Sequence, residues 1–454
     1  MKPSVLVRPL VSSLIAALAL TVTAVAQDQP VINVNNVEGL YAAVNNPRNA
    51  GTIVVLASGT YTLTATDPNN QPRPNGGHLL LQSGMALVGQ NKYVDFDGDG
   101  VWDPRDDNND GVPDNDPVRG LIFADPAGET IINAINLSGV PGAIPGAVRG
   151  GLDNRVERLT VRNTNNINAG IDINLPNTII GGMYAEIRDC LVEDGRRGIR
   201  LISGVQQSGF NSSAVLERNI LRRNTGAFGF GVQITIQGTS TSNTSWDVIL
   251  RNNLSYANRW GLFVAGEVAS DSQFHVLSMR NLYRENELGV RIDDGRDGGS
   301  GNNTQFTSID DRILDNVLPA GGGGSGGGVR AHAGFNPDAT APRSSNNALN
   351  LQFIGTTWRG NFQGTTRQDL QVYGALALGG WPGTNDTARV LIRHGTSDGA
   401  PGAFQFIDSQ PGDPTNTDTV TIIGSNVAFI HTNVGIDPPP QEHFPHEDSP
   451  DESN

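Results

Sequence analysis

Short runs in which apolar and polar residues alternate recur along the C-terminal half of the chain. A period of two places successive side chains on opposite faces of a β-strand. No long stretch with a 3.6-residue apolar period accompanies them, so the pattern predicts an all-β protein. The six clearest runs are Ile199-Arg200-Leu201, Val232-Gln233-Ile234-Thr235, Leu262-Phe263-Val264, Val290-Arg291-Ile292-Asp293, Val329-Arg330-Ala331-His332 and Leu370-Gln371-Val372-Tyr373.

A second pattern repeats with the strands: an Asp or Asn is followed five residues later by another. Successive first members are 30, 34, 28 and 30 residues apart. A unit this short cannot bury its own apolar face, so repeated units stack into a solenoid. Units rich in Val, Ile, Leu, Asn and Gly predict short strands joined by turns, hence a parallel β-helix. The pairs are Asp189/Asp194, Asn219/Asn224, Asn253/Asn258, Asn281/Asn286 and Asp311/Asn316.

Stacking brings equivalent positions of neighbouring coils to within ~4.8 Å, so that distant residues form columns. Alternation sends one set of residues inward: Ile199, Leu201, Val232, Ile234, Leu262, Val264, Val290, Ile292, Val329, Ala331, Leu370 and Val372. The residues between them form an outward column of Arg200, Gln233, Phe263, Arg291, Arg330 and Gln371. A second outward column beside it contains Thr235, Asp293, His332 and Tyr373.

The region before the repeats is expected to contain a helix and a strand. Residues 36–46 have Asn36 as a possible N-cap, and Leu40, Tyr41 and Val44 fall on one helical face. A strand is expected over 52–56.

These segments resemble the opening of pectate-lyase-like proteins. The resemblance rests on Val37-Glu38-Gly39-Leu40, Gly51-Thr52-Ile53-Val54-Val55-Leu56 and Gly59-Thr60-Tyr61. It implies a right-handed parallel β-helix solenoid with an N-terminal helical cap, and the hand also follows the general rule for parallel crossovers. A cap is physically required because an open terminal coil exposes apolar interior and unpaired strand edges.

The first 26 residues have the pattern of a secretory signal peptide. Lys2 and Arg8 precede the apolar stretch 10–22, and Ala24-Val25-Ala26 offers a small-residue cleavage site. An apolar stretch this short is a poor membrane anchor. The sequence therefore predicts a secreted protein, extracellular or periplasmic, with no membrane anchor. Cys190 is the only cysteine, so no intrachain disulfide is expected, and it is interpreted as a small buried apolar group.

The net charge of −15 is concentrated in two segments. Residues 95–116 contain nine Asp, and 437–454 contain six acidic residues and no Lys or Arg. Without these segments the chain carries 31 acidic and 30 basic residues. A nearly neutral repeat body has no field that would attract nucleic acid, so no nucleic-acid partner is expected.

The acidic insert has the spacing of calcium-binding loops. Asp95, Asp97 and Asp99 alternate, Gly100 permits a sharp turn, and further oxygen ligands follow in register. A second series overlaps the first, and the tandem arrangement resembles the calcium repeats of thrombospondin type 3. Ca²⁺ is therefore the expected cofactor, in a structural role. The predicted ligands are Asp95, Asp97, Asp99, Val101 through its carbonyl, Asp103, Asp106, Asn108, Asp110, Val112 through its carbonyl, and Asp114.

The chain divides into five predicted segments. The signal peptide (1–26) is followed by the cap and first coils (27–94), the Asp-rich calcium-binding insert (95–117), the parallel β-helix (118–435) and a disordered acidic tail (436–454). The tail contains Pro438-Pro439-Pro440 and scattered acidic residues, a composition that cannot bury an apolar core.

The outward columns contain the candidate chemistry. Arg291, Asp293, Arg330, His332 and Tyr373 are expected to meet on adjacent coils and are the candidate catalytic residues. Arginines can pair with a uronate carboxylate, while His332 or Tyr373 serves as acid or base in proton abstraction. Alternatively, Asp293 with Asp294 supplies paired carboxylates for glycoside hydrolysis. The candidate substrate-binding residues are Arg200, Gln233, Phe263 and Gln371.

Two functional classes remain open at this point. In the first, a monomeric protein acts on polysaccharide or cell-surface glycan as a lyase or glycoside hydrolase, with Trp260 and Trp358 stacking on sugar rings. In the second, a non-catalytic adhesive or structural β-helix carries solvated Arg and Asp residues that form ion pairs of little energetic consequence. The Asp-His tandem of pectate lyases is absent from the sequence, as is the Gly-His-Gly of polygalacturonases.

The calcium insert yields a direct prediction. Removing calcium with a chelator should lower the thermal unfolding temperature and open the segment 95–116 to proteolysis, because nine carboxylates repel one another without the ion. Replacing Asp97 and Asp99 together with Asn should reproduce the effect without chelator. Unchanged stability and cleavage in both experiments would show that the insert is an acidic loop.

Overall fold

The computed structural model describes residues 29–91, 128–136, 147–164, 169–174, 182–203, 208–225, 229–238, 241–318, 326–336, 343–377, 384–399, 401–409 and 418–429. Its strands wind into a parallel β-helix, as the repeats predict. The predicted signal peptide (1–26), the calcium insert (95–117) and the acidic tail (436–454) lie outside the described residues.

A full coil contributes one strand to each of three faces. Strands of the first face are Val31–Val34, Ile53–Leu56, Ala86–Val88, Leu152–Glu157, Tyr184–Arg188, Asn211–Glu217, Ser245–Arg251, Gln273–Met279, Asn303–Ile309, Ala348–Ile354, Thr387–Ser397 and Thr419–Phe429. Strands of the second face are Gly59–Thr64, Thr130–Asn136, Thr160–Thr164, Leu191–Gly195, Ile220–Arg222, Leu254–Tyr256, Leu282–Arg284, Arg312–Leu314 and Thr357–Arg359.

The third face carries the candidate residues. Its strands are Leu79–Leu80, Val148–Gly150, Ile171–Ile173, Arg197–Ser203, Phe230–Gln237, Trp260–Glu267, Leu288–Arg296, Gly327–Asn336, Leu370–Ala377 and Phe404–Ser409. Each pairs in parallel with the strand one coil away. A small three-stranded sheet lies apart, formed by Val317–Leu318, Phe362–Gln363 and Thr366–Arg367.

The interior of the solenoid is one continuous apolar core. All twelve residues predicted to point inward from the third face belong to it and are buried. Phe263, from the outward column, belongs to a separate apolar cluster on the other side of the sheet. The predicted alternation of this face is therefore confirmed.

The N-terminal cap is also confirmed. A helix spans Val37–Val44, and the side chain of Asn36 accepts a hydrogen bond from the backbone N–H of Gly39 at 2.8 Å. Leu40, Tyr41 and Val44 are buried in the core of the solenoid. The helix thereby covers the apolar end of the first coils, which would otherwise face water. The predicted strand nearby spans Ile53–Leu56.

The repeated Asn residues form hydrogen-bonded ladders at the turns. The side-chain oxygen of Asn253 accepts from the backbone N–H of Asn219 at 3.0 Å, one coil away. Asn281 accepts in the same way from Asn253 at 2.9 Å, and Asp311 accepts from Asn281 at 2.7 Å. Each Asn thus satisfies a buried backbone donor that the strand pairing leaves open, which costs about 1–3 kcal/mol when unpaired.

The second members of the four later pairs form a parallel ladder that continues to Asn361. Its residues are Asn224, Asn258, Asn286, Asn316 and Asn361. The residue preceding a ladder position is left-handed, for example Arg218, Asn252 and Arg280 with φ of 51°, 54° and 52°. This backbone turn aims the following side chain into the solenoid.

The first repeat pair was misaligned by one residue. Asp189 is not a ladder member: it occupies the left-handed position, with φ of 55°, and its carboxylate pairs with Arg218 on the next coil. The ladder position is held by Cys190, whose backbone N–H donates to the side chain of Asn219 at 3.1 Å. Cys190 is fully buried in the core, as predicted.

Asp311 provides a test of the ladder. Burial raises the pKa of Asp311 to about 6, against the hydrogen bonds from Ser278, Asn281 and Ser308. A raised folded pKa stabilises the protein at low pH, and this stabilisation is lost as pH rises through about 6. Asp311→Asn should therefore increase the free energy of unfolding by ~1–3 kcal/mol at pH 8 and change it little at pH 4. Urea unfolding at both pH values measures the difference.

The neighbouring Asp310 supplies the matched control. It is exposed and left-handed, with φ of 53°, and Asn tolerates that conformation. Asp310→Asn should leave the pH dependence of unfolding unchanged. Equal behaviour of the two variants would contradict the ladder interpretation.

Candidate active site

The outward columns of the third face are aligned as the sequence predicts. Backbone register places Arg200, Gln233, Phe263, Arg291, Arg330 and Gln371 opposite one another on successive coils. The second column runs from Thr235 through Ala265 to Asp293, His332 and Tyr373. The candidate catalytic residues therefore lie together.

Asp293 is the centre of this cluster. Its Oδ2 accepts a hydrogen bond from Arg291 Nε at 2.8 Å, and Arg296 Nη1 lies 3.8 Å from the same oxygen. Its Oδ1 lies 2.7 Å from His332 Nδ1. Both carboxylate oxygens are thus engaged by positively polarised groups.

The pKa values of Asp293 and His332 are both lowered, so the first group is charged and the second is neutral at neutral pH. Burial raises the pKa of Asp293, but the charge of Arg291 and the hydrogen bond from His332 outweigh it, and the net pKa lies below the ordinary value. Burial lowers the pKa of His332 to about 4, despite the opposing pull of Asp293. At neutral pH the pair therefore consists of a carboxylate and an uncharged imidazole.

The hydrogen bonds assign the tautomer of that imidazole. Since ionised Asp293 can only accept, His332 Nδ1 carries the proton and donates it. Nε2 then has the lone pair, which faces Arg330 Nε at 3.4 Å. This is the protonation state that a histidine needs to accept a proton.

Aromatic rings flank the cluster. The ring of His332 stacks with Phe335 and Tyr373, at centroid distances of 4.8 and 5.1 Å. The guanidinium of Arg291 lies 4.5 Å from the ring centroid of Trp260 and 4.6 Å from that of Phe335. These contacts hold both side chains in fixed orientations.

The four predicted substrate-binding residues are more varied in their surroundings. Arg200 forms a two-pronged ion pair with Asp172, at 2.9 and 2.7 Å. Phe263 packs with Phe230 and Trp260 in an aromatic group. The side chain of Gln371 donates to Gln405 at 2.7 Å. Gln233 is buried beside Phe263 in the register of the column.

The outward columns are buried, although the alternation predicts a solvated face. Asp293 and His332 are 0% exposed and Tyr373 is 9% exposed. The physical reason lies in the side chains themselves: long and aromatic groups stacked at the coil spacing cover one another. Arg330 is half-buried and is the catalytic candidate nearest to solvent.

The prediction that Asp293 and Asp294 act as paired carboxylates is wrong. Asp294 accepts a hydrogen bond from Thr304, a buried residue on the first face. Adjacent residues on a strand point to opposite sides, so the two carboxylates do not share a face. Burial raises the pKa of Asp294 well above its ordinary value.

The prediction for Trp358 is also wrong, because its ring is fully buried in the apolar core. Trp260 remains on the outer side of the third face, in the aromatic group with Phe230 and Phe263.

A third column of residues was missed by the sequence analysis. Register places Gln237, Glu267, Arg296 and Phe335 on successive coils. A bulge between Ala265 and Glu267 shifts the pairing, so that Glu267 faces Arg296, the third residue after Asp293. Strict alternation cannot reveal a bulge. The sequence contained one signal of this column: Glu267 follows Ala265 at the same spacing at which Gln237 follows Thr235.

The cluster has the parts needed for proton transfer next to an anion. It combines a neutral histidine, an ionised aspartate that orients it, and arginines suited to carboxylate recognition. No group of three or more His, Cys, Asp or Glu residues suited to a metal ion occurs within the part of the chain that the structure describes. Nor does any described helix have the length and apolar character to cross a membrane.

Comparisons with known proteins assign the chain to no family. The chain matches no protein-family model and no curated protein. It is similar in structure to the A-module of a mannuronan C-5 epimerase from Azotobacter vinelandii, with 15% sequence identity over 87% of this chain and 99% of that chain, at a TM-score of 0.33.

Two further structures are similar at the same level. One is the catalytic unit of a GH87 alpha-1,3-glucanase from Streptomyces thermodiastaticus, with 11% identity over 89% of this chain and 68% of that chain and a TM-score of 0.34. The other is PfbA, a surface adhesin of Streptococcus pneumoniae, with 11% identity over 90% of this chain and 92% of that chain and a TM-score of 0.23. Likenesses at these identities and TM-scores assign no function.

Proposed function

We propose that this protein is an exported, calcium-binding enzyme that acts on an acidic polysaccharide as a lyase. The reaction is abstraction of the proton beside the carboxylate of a uronate residue, followed by loss of the glycosidic oxygen. The observation that carries this proposal is the neutral His332, bonded through Nδ1 to ionised Asp293 among arginines.

In this reaction His332 Nε2 is the base. Its partner Arg330 is the half-buried member of the cluster, so an incoming carboxylate meets Arg330 first. Pairing of that carboxylate with the guanidinium draws Arg330 away from Nε2 and leaves the lone pair facing the substrate. The long Nε–Nε2 contact of 3.4 Å makes this exchange inexpensive.

Asp293 and Arg291 support the base without touching the substrate. Asp293 keeps the proton on Nδ1 and stabilises the imidazolium that forms. Burial lowers the pKa of Arg291 to about 10, which leaves it charged at neutral pH. Its charge holds Asp293 ionised through the catalytic cycle. Tyr373, stacked on the imidazole, restricts the ring to one plane.

Export and calcium binding are supported by sequence features alone. The signal-like residues 1–26 support export, and the Asp spacing over 95–114 supports calcium. A glycan partner agrees with both, because acidic polysaccharides are found outside cells.

A second function is favoured by one observation. Complete burial of Asp293 and His332 is also what a purely structural polar network would have. In that case the solenoid is a non-catalytic adhesive or spacer protein, and the arginines fix the packing of the third face.

The base assignment can be tested with His332→Gln. On a panel of uronate polymers, product is followed by the absorbance of the unsaturated uronate and by reducing ends. The variant should lose activity on the order of 10²–10⁴-fold, as expected for removal of a general base. Wild-type activity should fall as pH drops through about 4, where His332 becomes protonated.

His275→Gln is the matched control. His275 also bonds through Nδ1 to an aspartate, Asp247, at 2.7 Å, but lies on the first face. Its loss should leave turnover unchanged. Absence of product from every polymer would favour the adhesive function. Full activity of His332→Gln would show that His332 is not the base.

A further inference from the structure

The third column, formed by Gln237, Glu267, Arg296 and Phe335, contains one carboxyl group, that of Glu267. This group has no role in the reaction proposed above. Glu267 ends the strand Trp260–Glu267, two residues after Ala265, whose register partner is Asp293. The side chain is 18% exposed, whereas that of Asp293 is fully buried. Glu267 is therefore more exposed than Asp293 and His332 beside it.

Arg296 connects Glu267 to the cluster. Arg296 Nη1 lies 4.0 Å from Glu267 Oε1 and 3.8 Å from Asp293 Oδ2. Because both distances are measured to the same nitrogen, the two carboxylate oxygens are no more than about 8 Å apart, a separation at which two groups act on one sugar residue. Gln237 donates a hydrogen bond to the other oxygen of Glu267.

We propose that Glu267 is the proton donor to the leaving glycosidic oxygen. This inference rests on the lyase function proposed above and completes it. His332 Nε2 takes the C5 proton, the C5–H electron pair forms the C4–C5 double bond, and the C4–O bond breaks. The proton of Glu267 passes to that oxygen, which leaves as a hydroxyl. The proton on His332 is later lost to solvent while Glu267 is reprotonated, so no further reactant is needed.

The surroundings of Glu267 suit an acid. Burial raises its pKa, against the lowering effects of Arg296, the hydrogen bond from Gln237 and the charge of Arg197. The nearby carboxylate of Asp297 raises it further. The pKa values of Glu267 and Asp293 are thus shifted in opposite directions on one face of the sheet. Opposite pKa shifts in two neighbouring carboxyl groups typically distinguish a general acid from a group that remains ionised.

The other groups of the cluster are less suited to this role. Asp293 has both oxygens engaged and is ionised. Arg291 and Arg296 are permanently charged at neutral pH and are weak acids. Tyr373 is the one competitor, since its hydroxyl lies on the same face in the register of His332.

The experiment compares Glu267→Gln, Tyr373→Phe and Glu157→Gln on two substrates. One is the uronate polymer that the wild type cleaves. The other is a uronoside bearing a nitrophenoxy group at C4, which leaves without a proton. Glu267→Gln should reduce turnover of the polymer on the order of 10²–10⁴-fold and leave the nitrophenoxy substrate nearly unaffected. The alkaline limb of its kcat/KM profile should disappear.

Glu157→Gln is the matched control. The side chain of Glu157 is also 18% exposed and pairs with an arginine, Arg155, at 3.0 Å. It lies on the first face, so its loss should leave both rates near those of the wild type. Thermal unfolding of each variant verifies that it is folded. Equal losses on both substrates for Glu267→Gln, or a leaving-group effect confined to Tyr373→Phe, would overturn the assignment. A wild type inactive on every uronate polymer would instead refute the lyase function itself.

Discussion

The parallel register between coils is the constraint on which the whole molecule depends. Strand pairing brings one residue per coil into line, and the Asn side chains at the turns satisfy backbone donors that the strands leave unpaired, as Asn253 does for Asn219. A slip of one residue would take Asn253 out of the ladder and turn Val264 from the core to the outer side of the sheet. The core, the ladders and the candidate site are therefore set together.

This constraint made the arrangement of the third face predictable. The alternation from Ile199 to Tyr373 was sufficient to place Asp293 beside His332, although 39 residues separate them along the chain. The same logic located the cap, since Asn36 and the apolar face around Leu40 have the pattern of a helix start. A period of two and a capping residue both reflect regular backbone geometry. Each therefore predicts where the side chains of its segment lie.

Side-chain surroundings were less predictable. Whether Asp293 is exposed depends on how Trp260, Phe335 and Tyr373 pack over neighbouring coils, and alternation gives only the side of the sheet. The bulge between Ala265 and Glu267 pairs Glu267 with Arg296, which alternation alone does not predict. Asp294 lies on the other side of the sheet, bonded to Thr304. Asp189 was assigned to the ladder in place of Cys190 because the left-handed residue and the ladder residue are adjacent, and Asn or Asp can occupy either position, as in Asn252 and Asn253.

The ladder spacing has a consequence for how the chain reaches this structure. Asn253 and Asn281 meet across 28 residues, and each coil contacts chiefly the next, so the loops that close during assembly stay short at any chain length. Growth by addition of one turn to a preformed end is then kinetically simple despite the all-β composition. The helix Val37–Val44 would provide such an end, a surface from which winding can begin.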